Sequence, residues 1–265
     1  MSNTITKLKY LLGYFVFWVV FFHVARLLFL LKYSTESKTL DTITLGKTFL
    51  YGNQLDLSTA GYLTIIPAAL MIFTSIAPLP ILKKSLSLYT VSSIFCITFF
   101  QLLDLNLYDA WSTRLDSTIL MYVNNPSLML ASVTNFQLLG GVLFWSFLAL
   151  FWSYINNKTN KKNLAKIQSG KSLDAIVFLV ITASLIIPIR GGFQTIPINQ
   201  SNVYFSNKMF ANHAAVNFAW NFVNSAKRKT DEFNPYVNFE HDLAQKIVNQ
   251  EKDALLVSNI DSVLT

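Results

Sequence analysis

The sequence predicts an all-α, polytopic membrane protein: a five-helix transmembrane bundle followed by a short, partly helical extracytoplasmic linker. Three observations carry that prediction. Of 265 residues, 52% are hydrophobic and only 13% charged, against roughly 25% charged in an ordinary soluble domain. The apolar residues gather into five runs, each about long enough to cross a bilayer. Lysines cluster between alternate runs, which is the charge signature of membrane topology.

The first run, Tyr10 to Leu31, follows Lys7 and Lys9 and reaches about 33 Å as a helix at about 1.5 Å per residue. A secretory leader has a shorter apolar core and a small-residue cleavage site, and this run has neither feature. It reads as a retained span. The second run is Ala60 to Leu82, where Pro67 predicts a kink and Pro78 and Pro80 mark the cytoplasmic end. The third is Leu86 to Leu103, the fourth about Phe136 to Ile155 and the fifth about Leu173 to Ile189.

Orientation follows from the short basic connections, because Lys and Arg there are retained on the cytoplasmic side. Lys7 and Lys9 precede the first run, Lys83 and Lys84 separate the second from the third, and Lys158, Lys161, Lys162, Lys166 and Lys171 separate the fourth from the fifth. The opposite loops are poorer in net positive charge. In Lys32 to Thr59 the basic residues are offset by Glu36, Asp41 and Asp56, and Asp104 to Asn135 has Arg114 alone. The N-terminus is therefore expected in the cytoplasm and everything after Ile189 outside. This gives two regions, a transmembrane domain over 1–189 and an extracytoplasmic connector over 190–265. The net charge of +7 does not imply nucleic acid, since the basic residues lie mostly between apolar runs rather than on one soluble face. Cys96 is the only cysteine, lies in an apolar run and reads as a packing residue. In the connector, Lys227-Arg228-Lys229 reads as a solvated face, and Phe239, Leu243, Ile247 and Ala254 fall near one stripe of a helical wheel.

Ionisable residues inside spans are costly, which singles out His23 and Arg26, one helical turn apart in the first run. The simpler expectation has Arg26 snorkelling to the outer interface near Lys32 while His23 hydrogen-bonds inside the bundle; the sharper one has the two lining a transport path. After the third run come Tyr108, Trp111, Arg114 and Asp116. Arg114 presents a planar fork that suits a carboxylate or a lipid phosphate, and pairing with a nearby Asp to stiffen the loop is the structural alternative. Arg190 directly follows the fifth run and precedes Gly191 and Gly192, which permit positive φ; it suits an anionic headgroup, and a chain turn is the alternative. Tyr108, Arg114, Asp116 and Arg190 are the candidate headgroup or domain-docking contacts. No metal-ligand spacing, nucleophile elbow, phosphate loop or dinucleotide fingerprint occurs. Glu240-His241-Asp242 are consecutive and point around a helix rather than converging. No catalytic, cofactor-binding or metal-binding residue is assigned.

Several stretches, in order, resemble the membrane part of the lipoteichoic acid synthase and sulfatase-like family of the alkaline phosphatase superfamily. Leu55-Asp56-Leu-Ser58-Thr-Ala-Gly61-Tyr62 resembles the pattern opening the second helix. Asp104-x-x-x-Tyr108 with Arg114-Leu-Asp116 resembles the loop after the third, and Asn125-Pro126 its end. Arg190-Gly-Gly192, Pro197-Ile-Asn199, Tyr204-Phe-Ser206-Asn207 and Asn212-His-Ala-Ala-Val-Asn217 resemble the connector to the extracellular enzyme domain, in wording closer to the Bacteroidota-like branch. The resemblance, over about residues 10 to 225, implies an anchor in the bacterial cytoplasmic (inner) membrane that contacts membrane lipids. It implies an outward phosphoglycerol or phosphoethanolamine transferase domain, holding a divalent metal (Mn, Mg or Zn) and acting on a lipid-linked substrate. That domain is expected beyond Thr265, so the chain reads as truncated before its catalytic part and inactive alone. The competing readings are a small transporter or channel built on His23 and Arg26, and a regulatory scaffold.

Overall fold

The computed structural model describes residues 2–123, 134–170, 172–231, 243 and 245–251. The chain is all-α, with helices α1 (Ser2–Lys32), α2 (Ser34–Ser37), α3 (Thr42–Ile72), α4 (Leu79–Trp111), α5 (Leu120–Val123), α6 (Asn135–Lys166), α7 (Ser172–Ser184), α8 (Ile186–Arg190), α9 (Met209–Ala215) and α10 (Phe218–Asp231). Among the described residues, five stretches are long and apolar enough to cross a membrane: the long helices α1, α3, α4 and α6, and the run Leu173–Arg190 that α7 and α8 form together. The protein is a polytopic membrane protein. Residues up to Ala226 form one compact unit and Lys227–Thr265 a second.

The four long spans differ in extent from the expectation: α1 starts before Tyr10, α6 runs past Ile155 to Lys166 and so carries most of the lysines expected in the following connection, and the second and third change as follows. The second begins at Thr42 rather than Ala60, so most of the supposed outer loop is helix. Asp41 starts it by accepting from the Thr44 amide at 3.0 Å and the Thr44 hydroxyl at 2.6 Å, an N-cap that satisfies an otherwise orphaned donor. The same two bonds hold the Asp41 carboxyl below its ordinary range. Polar residues had broken the apolar run here, but Thr48, Gly52, Asp56, Ser58 and Thr59 point inward and are buried. The third span continues to Trp111, so Asp104 and Tyr108 lie on its last turns and not in a loop. Ser112 ends it in the left-handed region, with φ of 51° and its amide on the Tyr108 carbonyl at 2.9 Å.

The prolines also fall differently. Pro67 lies buried inside α3, which runs on to Ile72 before a 3-10 turn at Phe73–Ser75. Pro78 is the N-cap of α4 and Pro80 sits in its first turn, where a missing N–H leaves nothing unpaired. They open the third span instead of closing the second.

The core between α1, α3, α4 and α6 is aromatic. Phe17, Trp18, Phe21 and Phe22 of α1 are buried, and Phe21 meets Trp152 of α6 with ring centroids 4.9 Å apart. α6 and α7 present most of their large apolar side chains outward, including Leu143, Phe147, Leu150, Ile176 and Val180, as lipid-facing helices do. One end of the bundle gathers the basic connections. Asn3 donates to the carbonyls of Gln168 and Ser169, Lys7 reaches Thr74 at 2.8 Å and Asp174 at 3.1 Å, and Lys83 donates to the Ala165 carbonyl at 2.8 Å. The other end holds the junction of Lys32 and Tyr33 with Leu105, together with the connector.

Within the second unit, the described residues 245–251 are helical, Ile247 included. Phe239, Glu240, His241, Asp242 and Ala254 of the expected stripe lie outside the described residues, as do Asn125, Pro126 and Lys171.

Candidate functional site at the connector end of the bundle

The site begins with two arginines, one on the first span and one just after the third. Arg26 of α1 forms a two-toothed pair with Asp56 of α3, at 2.7 and 2.9 Å. Arg114, just beyond α4, pairs with Asp104 at 2.8 to 3.1 Å, and Asp104 also accepts from the Leu115 amide at 2.9 Å. All four side chains are at most 3% exposed. Here two ion pairs are removed from water, so each depends on its partner and on the hydrogen bonds that complete it.

Those completing bonds go to one short segment. Arg26 donates to the carbonyls of Ala214 (2.9 Å) and Ala215 (3.2 Å), and Arg114 to the carbonyl of His213 (3.0 Å). These three carbonyls are at the C-terminal end of α9, where a helix leaves acceptors unpaired. Two guanidinium forks therefore clasp the end of a connector helix between them. The asparagines extend the grip. Asn217 donates to Asp56 at 2.9 Å while accepting from the Trp220 amide, Asn221 donates to the Leu115 carbonyl at 3.0 Å, and Asn212 closes the turn before α9 through the Phe205 and Ser206 amides.

Small residues permit the approach. A Cβ on Gly52 would lie 2.5 Å from the Ala215 carbonyl oxygen and collide with the Arg26 guanidinium. Ser58 donates to the Ile189 carbonyl at 2.7 Å, and a Cβ on Gly61 would come within 2.9 Å of the Ile189 side chain. The polar face of α3 thus lies against α1 on one side and the start of the connector on the other.

Three of the four candidate contacts, Tyr108, Arg114 and Asp116, come together around His213, and Arg190 stands apart. Tyr108 bonds through its hydroxyl to His213 Nδ1 at 3.0 Å. Arg114 adopts the structural alternative, buried with Asp104 and stacked over Phe29 at 4.2 Å from the ring centroid. Asp116 accepts from the Thr118 amide at 2.8 Å and caps the 3-10 turn at Ser117–Ile119. Arg190 is elsewhere, donating to the carbonyls of Gln194 (3.3 Å) and Thr195 (3.0 Å) so that it closes the loop it opens. Gly191 and Gly192 there take φ of 79° and 132°, the chain turn that the glycine pair anticipated. Arg26 is the clear correction: it does not snorkel, because Asp56 and two carbonyls hold it inside. His23 stays in the bundle on the Val19 carbonyl at 2.9 Å, with Asp56 3.5 Å away.

Arg114, Asp116 and His213 also share a polar cavity of about 220 Å³, completed by Gln200, Tyr204 and Asn221. Burial and the neighbouring Arg114 guanidinium both push the His213 pKa below its ordinary value, so the ring is neutral at neutral pH. Asp56, Asp104 and the stretch Asn212 to Asn217 stood out in the sequence only through the family resemblance, and Arg114 was expected to meet a nearby Asp; the contacts made by His213, Asn217 and Asn221 were not anticipated. Their signal was the run of asparagines after Tyr204, too diffuse to assign without a fold. Among the described residues no group of three or more His, Cys, Asp or Glu could hold a metal ion. Compared with known proteins, the chain matches no family, no curated protein and no solved structure.

Proposed function

We propose that this chain is the membrane domain and connector of a lipoteichoic-acid-synthase-like or sulfatase-like transferase, and that it holds an enzyme domain at the outer membrane surface. One observation carries the reading. The stretches on which the family resemblance rests, around Asp56, Asp104, Arg114 and Asn212 to Asn217, are separate in sequence, yet they supply the Arg114 clasp, the carboxylate that holds Arg26, and the segment that both arginines grip. An anchor that must present a folded domain in a fixed place needs a rigid exit from the membrane, and a clasped connector provides one. The clasp also weighs against a transport path, since Arg26 is fully committed to Asp56 and the connector.

The Lys alternation supports an orientation with the N-terminus in the cytoplasm and the connector outside, and the family resemblance supports a bacterial cytoplasmic membrane. Tethering there would raise the local concentration of a lipid-linked phosphoglycerol or phosphoethanolamine substrate around the enzyme domain, whose divalent metal and nucleophile belong to that domain. The test is the coding sequence beyond codon 265. An open frame with a Thr or Ser nucleophile among acidic and His metal ligands supports the proposal, and an immediate stop with no such frame overturns it. Metal-dependent phosphoglycerol or sulfate ester turnover by residues 1–265 alone would contradict the placement of the chemistry.

A further inference from the structure

One face of α6 stays exposed from Leu143 to Ala165 and changes chemistry on the way. Leu143, Phe147, Leu150 and Tyr154 are 61–63% exposed. At about 3.6 residues per turn they lie in line with Lys158, Lys161 and Lys162 further along the helix, which are exposed as well. The opposite face holds α6 to α1. Trp152 meets the Phe21 ring at 4.9 Å, and a Cβ on Gly13 would fall 2.6 Å from Asn160 Oδ1. Among the described residues, none of Lys158, Lys161 and Lys162 forms an ion pair. The surrounding sequence supplies no carboxylate either, since no Asp or Glu occurs between Asp116 and Asp174, and Asp174 is held by Lys7 at 3.1 Å and Thr4 at 2.6 Å. Three uncompensated cations therefore continue an apolar stripe.

That sequence of groups has the plan of a phospholipid. Acyl chains cover the apolar part of a membrane-facing helix, and Phe147 and Phe151, stacked with ring centroids 6.1 Å apart, offer them a continuous surface. Tyr154 suits the level where chains meet headgroups. Lys158 follows about 6 Å further along the axis and Lys161 and Lys162 about 10–12 Å, from where flexible lysine stems reach back to phosphate oxygens. We propose that this face binds one anionic phospholipid, with its acyl chains along Phe147, Phe151 and Tyr154 and its phosphate among Lys158, Lys161 and Lys162. The occupant is a lipid rather than an acidic protein because the aromatic half of the same face belongs to a membrane-spanning stretch, where a soluble partner does not reach. A zwitterionic lipid carries its own cation and gains less from three lysines. The site lies at the end of the bundle away from the clasp, beside the Lys83 contact with Ala165, and holds whether or not an enzyme domain follows.

The test uses the full chain in mixed detergent micelles, with native mass spectrometry counting the lipids retained. The probes are dioleoylphosphatidylglycerol, dioleoylphosphatidylcholine, water-soluble glycerophosphoglycerol and an oligoglutamate peptide. Phosphatidylglycerol should be retained in preference to phosphatidylcholine. Replacing Lys158, Lys161 and Lys162 together by Gln should weaken its binding about fivefold per lysine and flatten its salt dependence. Lys9→Gln with Lys84→Gln removes two exposed lysines at the same end but off this face, and should leave the preference unchanged. Phe147→Ala with Phe151→Ala should weaken both lipids alike. These are surface positions, so every variant should melt within a few degrees of the parent in phosphatidylcholine nanodiscs, which separates lost binding from unfolding. Equal retention of the two lipids, an equal loss in the Lys9 and Lys84 variant, competition by glycerophosphoglycerol as strong as by the lipid, or displacement of the lipid by oligoglutamate would overturn the proposal.

Discussion

Asp56 shows what a single side chain does at this site. It receives both teeth of Arg26 and the Asn217 amide while fully buried. Replacing it with Ala leaves the guanidinium uncompensated in an apolar surround, a change that costs about 3–5 kcal/mol for buried pairs. Asp56→Ala should therefore melt far below the parent in detergent, and proteolysis between residues 191 and 226 should accelerate. The double replacement Arg26→Met with Asp56→Leu removes the stranded charge and should recover much of the melting temperature but not the protease resistance, because the carbonyls of Ala214 and Ala215 still lose their donor. His213 makes a second prediction at this scale. Its folded-state pKa lies below the ordinary 6.5, so in the window between the two values the unfolded chain binds more protons and stability rises with pH. The contribution is intact above about pH 6.5 and is lost as pH falls from there toward the folded-state value. Melting at about pH 5 and about pH 7 should show a smaller loss on acidification for His213→Gln than for the parent.

At the scale of elements, the informative junction is the exit from the fifth span. α8 ends at Gly191, whose φ of 79° lets its amide and that of Gly192 close on the Pro188 and Ile187 carbonyls. Arg190 then offers its own carbonyl to the Ile198 amide at 2.9 Å, turning the chain back. Gly191→Ala meets two obstacles: the left-handed backbone costs a non-glycine residue about 1–2 kcal/mol, and the new Cβ falls 2.7 Å from the Ile198 Cβ. The expected outcome is increased protease cleavage over 192–199 with the spans intact, read by limited proteolysis and circular dichroism. α3 teaches the complementary lesson. The apolar core of the second span was legible from hydropathy, whereas its first turns were not, because a helix whose polar face is buried against Arg26 has no apolar run to find. Asp104 and Tyr108 were noted in the sequence but assigned to a loop for the same reason, since the polar turns of α4 that point a carboxylate at Arg114 interrupt the apolar run.

For the whole molecule, the structure gathers Lys7, Lys83 and the segment before α7 at one end and the clasped connector at the other. The proposal that the basic end faces the cytoplasm rests on the charge pattern, and cysteine labelling tests it. In a Cys96→Ala background, an impermeant thiol reagent should label Phe193→Cys in intact cells and Lys161→Cys only after permeabilisation. Reversed labelling would invert the topology. The sequence by itself determined the all-α membrane class, five candidate spans, their order and the end of the bundle at which basic residues collect, because hydropathy and charge act locally along a chain and need no partner to be read. Only the tertiary structure decided what the polar residues do. Arg26 pairs with Asp56, 30 positions along the chain, which no spacing rule selects, and packing alone decides that Asp104 is the carboxylate that Arg114 meets. Burial turned them from candidate lipid contacts or a transport path into the clasp on His213, Ala214 and Ala215, since a charge removed from water keeps its stability only through the partners that packing brings to it.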